Sequence, residues 1–340
     1  MPGPGEPSST EQEQVGAGAA LTAERTPDFL IVGHQKCGTT ALYLMLSQHP
    51  QIYMPDVKEP WFFGRELRSR FDKPSTRGRP NTLEDYLALF ADARADQCAG
   101  EASPQYVRSE HAAREIAELR PDARIVVLLR EPAAFLRSLH LQLVATHIED
   151  EPDFAKAIAL EDARRRGEHV PSDSVSPQSL LYGDHVRYAE QLRRLHDAFP
   201  SEQVLVLIYE DFRRDNRAVL GQVLEFLGVD PAAAIEPVET KPLDDVRSMR
   251  LHKLRRTVRK AGLNPAKRGR LVKTIDALPP RSLSSDSISA AFRRVAYRPQ
   301  RPADDELMLA LRRRFLGEVQ AAGDYLGRDL VALWGYDRIS

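Results

Sequence analysis

Eight residues, Gly33-His34-Gln35-Lys36-Cys37-Gly38-Thr39-Thr40, bring two glycines, a lysine and two hydroxyls together between an apolar run and a helical pattern. A loop that opens onto a helix N-terminus presents free backbone N–H groups and the positive end of the helix dipole, which suits a phosphate. Lys36 adds a full charge, and Thr39 and Thr40 add hydroxyl donors. The order departs from the nucleotide-kinase phosphate loop G-x-x-x-x-G-K-[ST]. Here Lys36 comes two residues before Gly38, and Thr39 stands at the lysine position. A P-loop kinase or ATPase loses its β/γ-phosphate lysine and is the alternative reading, and a purely structural strand-to-helix turn is the other.

Two more groups of residues could do chemistry. Arg130 ends the apolar run RIVVLL and Ser138 follows eight residues later. Ligands of open parallel sheets bind at strand C-terminal ends, and an arginine fork with a hydroxyl suits a second phosphate. Taken singly, they read as a surface arginine and a helix serine. In Lys58-Glu59-Pro60-Trp61-Phe62-Phe63 a carboxylate lies among aromatic residues. Partial removal from water favours proton uptake, so Glu59 is a candidate general base; the plain alternative is a surface glutamate beside an apolar segment. The nine histidines form no H-x-x-x-H or Cys/His set, so no metal site is expected.

Alternating strands and helices must position these residues. Phe29 to Val32, Gln97 to Glu101, Arg124 to Leu129 and Val204 to Tyr209 read as strands. Helices are expected over Thr40 to Gln48, from the Thr82/Asp85 capping box onward, over Pro132 to about Thr146, along the face Val186, Ala189, Leu192, Leu195 and Phe199, and from Asp304 to Leu326. This is an α/β chain: one domain over 28–340, an open parallel sheet with helices on both faces, preceded by a disordered tail at 1–27 rich in Pro, Gly, Ser and Glu. Residues 262–302, with weak periodicity, read as a long functional loop.

Among 340 residues, 48 Lys and Arg oppose 49 Asp and Glu, a formal charge of −1 that excludes a uniformly basic nucleic-acid binder. The total conceals a segregation, because Arg247 to Arg301 carries 16 basic residues against two acids. That stretch, with LHKLRRTVRK as a candidate amphipathic basic helix, leaves open a non-catalytic module for an anionic surface, and in an enzyme implies contact with an anionic acceptor or surface. Two cysteines exclude a disulfide scaffold and fit a reducing compartment. With no apolar run long enough to span a bilayer, the expectation is a cytoplasmic protein.

From about Asp28 to Tyr336 the chain resembles the sulfotransferases that use 3′-phosphoadenosine 5′-phosphosulfate (PAPS), in the branch of the heparan sulfate sulfotransferases and their bacterial relatives. FLIVGHQKCGTTALYLMLSQHP resembles the cofactor loop, and LLREPAAFLRSLHLQ the segment that binds the 3′-phosphate. The resemblance implies a P-loop-type fold and no metal, with PAPS as co-substrate and adenosine 3′,5′-bisphosphate (PAP) as product. It implies that Lys36, Cys37, Gly38, Thr39, Thr40 and Ala41 hold the 5′-phosphate end, that Arg130 and Ser138 hold the 3′-phosphate, and that Glu59 takes the acceptor proton while Lys36 assists departure of the leaving group. It also implies that Tyr182 approaches the cofactor, a core tyrosine being the equal alternative, and that Arg298 and Arg301 lie in a loop closing over it. GEASPQY resembles the segment lining the acceptor cleft, but Ala102 stands where heparan sulfate members have lysine. The implied acceptor is therefore a small molecule, lipid or glycoside carrying a hydroxyl, and less readily an amine.

Overall fold

The computed structural model describes residues 25–67, 79–171, 177–238, 245–246, 297–298 and 304–339, the two short pieces as backbone alone. Most of the expected tail, the candidate basic helix and nearly all of the 262–302 loop lie outside the described residues, as does Arg301. Arg25 to Pro27, assigned to the tail from sequence, are instead tied to the body. The Arg25 guanidinium donates to the carbonyls of Arg94 and Gln97 and pairs with Asp28, and Arg120 donates to Thr26 Oγ1 at 3.2 Å.

Five parallel strands form the main sheet in the order β2-β3-β1-β4-β5: β1 Phe29–Ile31, β2 Ile52–Tyr53, β3 Cys98–Ala102, β4 Arg124–Leu129 and β5 Val204–Ile208. In register, Leu30 lies opposite Glu101 on one side and Ile125 on the other. Every residue of β1 and all but Arg124 of β4 are buried. Successive side chains point to opposite faces, so unbroken burial means both faces of the central strands are covered. From β1 the chain builds outward to β2 and β3, then crosses back to β4. That reversal opens a crevice at the C-terminal end of β1, where such sheets bind ligands.

The helices are α1 Thr39–Leu46, α2 Leu83–Leu87, α3 Ala112–Leu119, α4 Pro132–Ala145, α5 Phe154–Ala159, α6 Glu161–Arg165, α7 Tyr188–His196, α8 Tyr209–Arg214, α9 Asn216–Leu227, α10 Asp305–Leu326 and α11 Leu330–Leu333. The capping box read from Thr82 and Asp85 is present in both directions: Thr82 Oγ1 accepts from Asp85 N at 3.0 Å and Asp85 Oδ2 accepts from Thr82 N at 3.3 Å. Among the described residues no helix is long and apolar enough to cross a membrane. A two-stranded antiparallel ribbon, β6 Asp245–Val246 with β7 Tyr297–Arg298, runs beside α4 and joins the ends of the basic stretch.

Gly33 shows how tightly the loop after β1 is set on the sheet. A Cβ built there falls 2.2 Å from Leu128 N, because the chain leaving β1 still hydrogen-bonds β4, with His34 N donating to Leu128 O at 3.1 Å. Gly33→Ala forces two backbones apart, and the expected loss is about 3 kcal/mol of unfolding free energy, read by urea titration. A wild-type midpoint in that variant contradicts the packing described.

Candidate active site

The loop after β1 turns through two left-handed residues, Lys36 (φ 63°) and Gly38 (φ 87°), before α1 begins. Gly38 is the N-cap and supplies no side-chain cap. The first hydrogen bond of the helix is Leu42 N to Gly38 O at 3.0 Å, so the N–H groups of Thr39, Thr40 and Ala41 open onto the loop. Thr39 is buried and Thr40 exposed. The Cys37 side chain turns inward, its sulfur 3.5 Å from Gln35 O, and burial pushes the thiol well above its ordinary value. Cys37 thus offers this site its backbone alone.

Arg130 follows β4 directly and reaches across to this loop, donating from Nη1 to Lys36 O at 2.8 Å. Its guanidinium stacks over the Tyr209 ring at 4.5 Å, and the Tyr188 hydroxyl donates to its carbonyl at 2.8 Å. Lys36 and Arg130 are close enough for one to act on the other: burial and then the Arg130 charge lower the Lys36 ammonium from its ordinary range. Neither is ion-paired to a carboxylate among the described residues, although Glu210 feels the field of Arg130, and the Nε of Arg130 is buried without an acceptor. Two like charges held together at an open helix end, with a buried donor unsatisfied, are the chemistry that suits a polyanion. Ser138 is half-buried on α4.

The start of α4 is already closed. Glu131 accepts from Ala133 N (3.2 Å) and Ala134 N (2.6 Å), and the Tyr336 hydroxyl donates to it at 2.7 Å. Glu210 accepts from Glu131 N at 3.2 Å and from Trp334 Nε1 at 2.9 Å, and burial raises its carboxyl. The C-terminal segment therefore braces the turn that carries Arg130. Sequence reasoning missed Tyr188, Tyr209, Glu210 and this brace. Tyr209 and Glu210 at the end of the apolar run VLVLI were the available signal, being polar residues at a strand C-terminus.

Glu59 lies beside the same end of the sheet, with its N–H donating to Ala102 O at 3.1 Å. The aromatic setting read from sequence is not what surrounds its carboxylate. Phe62 and Phe63 turn into the core against Tyr86 and Tyr106, while Glu59 Oε1 takes the Lys58 ammonium at 2.8 Å. The carboxylate is 28% exposed, and Lys58 also faces the Tyr43 ring. Consecutive residues diverge because Glu59 and Trp61 are both left-handed, with φ of 59° and 54°.

Tyr182 is fully buried, its hydroxyl donating to Glu149 at 2.9 Å and lying 2.9 Å from His140 Nδ1. Glu149 in turn forms a fully buried pair with Arg164, so the core reading of Tyr182 replaces the cofactor reading. His34 is buried on Gln191 (2.8 Å), and burial pushes it down to about 3, which leaves a neutral loop-supporting imidazole. The backbone of Arg298 pairs with Asp245. Among the described residues no group of three or more His, Cys, Asp or Glu is placed to hold a metal ion.

Comparison with known proteins bears on this geometry. The family profile described as "Sulfotransferase domain" matches residues 26–262, more than two thirds of the chain. The chain belongs to the sulfotransferase family. It is 32% identical over 225 residues to bifunctional heparan sulfate N-deacetylase/N-sulfotransferase 3 of Homo sapiens, covering 62% of this chain and 23% of that protein. Enzyme 4 of the same series from Mus musculus is 30% identical over 214 residues, with the same coverages. The chain thus spans about a quarter of the length of these curated relatives. A solved sulfotransferase from Alicyclobacillus acidocaldarius shares 26% identity and a TM-score of 0.62, over 92% of this chain and 99% of that one. The sulfotransferase match takes in Lys36, Glu59, Arg130 and Ser138 and stops before α10, so the brace by Trp334 and Tyr336 lies outside it.

Proposed function

We propose that this sulfotransferase moves the sulfuryl group of PAPS to an acceptor hydroxyl by in-line displacement. The observation that carries the proposal is the closeness of Lys36 and Arg130, two cations that have no carboxylate partner among the described residues, at the open N-terminus of α1. PAPS carries phosphate at two positions, and each of the two cations offers one anchor. Lys36 with the N–H groups of Gly38, Thr39, Thr40 and Ala41 takes the 5′-phosphate end; Arg130 and Ser138 take the 3′-phosphate. Glu59 accepts the acceptor proton as the new O–S bond forms. The bond from sulfur to the 5′-phosphate oxygen breaks, and its electron pair leaves on PAP, where Lys36 neutralises it. Positioning and charge stabilisation carry most of the barrier reduction, as in phosphoryl transfer.

The proposed acceptor is a small molecule, lipid or glycoside. Ala102 is buried at the end of β3 and stands where the resemblance puts a lysine in heparan sulfate members, which disfavours a polysulfated chain. A second reading, an amine acceptor, is favoured by the names of the curated relatives, which are N-sulfotransferases. The basic 247–301 stretch is proposed to meet an anionic acceptor or surface, and the two free thiols suit a cytoplasmic setting. Incubation with labelled PAPS and a metabolite extract, followed by mass spectrometry for a sulfate-sized mass gain, tests the reaction.

Binding tests the cradle on its own. PAP is expected to raise the melting temperature, and ATP with magnesium to do so far less. Arg130→Ala is expected to weaken PAP binding by roughly 10²-fold, measured by calorimetry, because a charge-assisted fork is lost. Equal stabilisation by PAP and ATP, or unchanged PAP affinity in Arg130→Ala, speaks against the assignment.

A further inference from the structure

The turn that carries Glu59 holds three left-handed residues within six positions: Glu59 (φ 59°), Trp61 (φ 54°) and Gly64 (φ 61°). Residues with a Cβ keep that conformation only where their surroundings impose it. Here a row of backbone N–H groups is held by β3 and the turn after it. Glu59 N donates to Ala102 O (3.1 Å), Trp61 N to Ser103 Oγ (3.2 Å) and Phe63 N to the Tyr106 hydroxyl (3.3 Å). Two of those acceptors are hydroxyls, and a hydroxyl has one proton to direct.

Glu101, beneath them, decides the direction. Ser103 Oγ donates to Glu101 Oε2 at 2.7 Å, Tyr86 donates to Oε1 at 3.1 Å, and the Tyr106 hydroxyl faces the same carboxyl. An ionised carboxylate only accepts, so it draws these protons inward and turns the hydroxyl lone pairs toward Trp61 N and Phe63 N. A protonated Glu101 must donate into the same group and compete for those lone pairs. The mechanism does not use Glu101, and a fully buried carboxyl is costly to keep for packing alone.

We propose that Glu101 is a positioning residue that, through the hydroxyls of Ser103 and Tyr106, holds the Lys58–Gly64 turn and with it Glu59. Its catalytic consequence rests on the reading of Glu59 as proton acceptor; the positioning itself does not. Among the described residues the groups acting on Glu101 are Tyr86, Ser103, Tyr106 and the cation Lys58, and burial, outweighing all four, pushes its carboxyl up to about 7. Lys58 is also the ion partner of Glu59, so the ionised Glu101 competes for it.

Hydrogen exchange of the full chain read by mass spectrometry tests the proposal from pH 6 to 8, with rates divided by the intrinsic amide rate at each pH. Wild-type protection over 58–64 is expected to rise several-fold as Glu101 ionises. In Glu101→Gln it should stay flat, and about tenfold lower than wild type at pH 8. Ser103→Ala should loosen the Trp61 amide with the carboxyl still present, and PAP affinity should be unchanged in both variants. Global stability cannot mimic the wild-type rise. A carboxyl raised in the fold contributes stability that is complete below its unfolded value and lost as pH climbs through about 7, the opposite sign. A wild-type profile without pH dependence over 58–64, or loosening in Glu101→Gln shared equally by β1 and β4, overturns the proposal. Absence of PAP binding in the wild type counts against the PAPS reading alone and leaves the exchange result standing.

Discussion

Lys36→Ala is expected to lower sulfuryl transfer by roughly 10²-fold or more, the largest single effect at this site. As the bond to sulfur breaks, negative charge grows on the leaving phosphate oxygen. The loop's N–H groups carry only partial charges, and Lys36 is the full charge among them. Its position is bought with repulsion, since burial and Arg130 both disfavour the charged lysine in the absence of an anion. The variant should therefore fold at least as stably as wild type, so lost turnover with an unchanged or raised melting temperature identifies a catalytic effect. Lys36→Arg keeps the charge but spreads it over a planar fork in place of a compact ammonium, so only partial rescue is expected. Rapid-quench measurement of PAP formation checks both variants. Turnover in Lys36→Ala within a few-fold of wild type removes the lysine from the mechanism.

Glu59→Gln is expected to cost a comparable factor, roughly 10² in turnover, while PAP affinity stays close to wild type. The amide keeps the shape of the side chain and can still meet Lys58, but it cannot take a proton. In wild type Lys58 occupies Oε1 at 2.8 Å, which leaves Oε2 as the oxygen open to an acceptor. Lys58→Ala should then separate two roles. If Lys58 only orients Glu59, its loss lowers turnover by less than Glu59→Gln does; if it also contacts the transferring group, the two losses converge. Normal turnover in Glu59→Gln, measured with the acceptor identified by mass spectrometry, ends its assignment as base.

The elements and the outline of the site were legible because both depend on local pattern. RIVVLL is an uninterrupted apolar run and becomes β4 over those same residues; Thr82 and Asp85 announce a helix start and form the capping box. The strand, glycine loop and helix at 29–46 were equally clear, since a Gly/Lys/Thr cluster between two apolar segments has few other uses. β2 was not visible: two residues carry no periodicity, and Ile52–Tyr53 is a strand only because β3 lies beside it. For Tyr182 the resemblance left a cofactor contact and a core tyrosine as equal readings. Its hydroxyl is engaged by Glu149, 33 residues away, in a buried network that no short-range pattern reveals.

By itself, the sequence determined the α/β class, the family and the residue types of the loop between β1 and α1, because helix ends, strand runs and loop chemistry are written in neighbouring residues. Tertiary structure alone decided which charges meet. Lys36 and Arg130 lie 94 residues apart in the chain and become partners only when β1 and β4 are paired. The same holds for Glu59, whose carboxylate meets Lys58 rather than the aromatic rings beside it in sequence, and for Glu101, made a buried carboxyl by Tyr86, Ser103 and Tyr106. Electrostatic and hydrogen-bond effects depend on distance in space and on removal from water, and a linear pattern encodes neither.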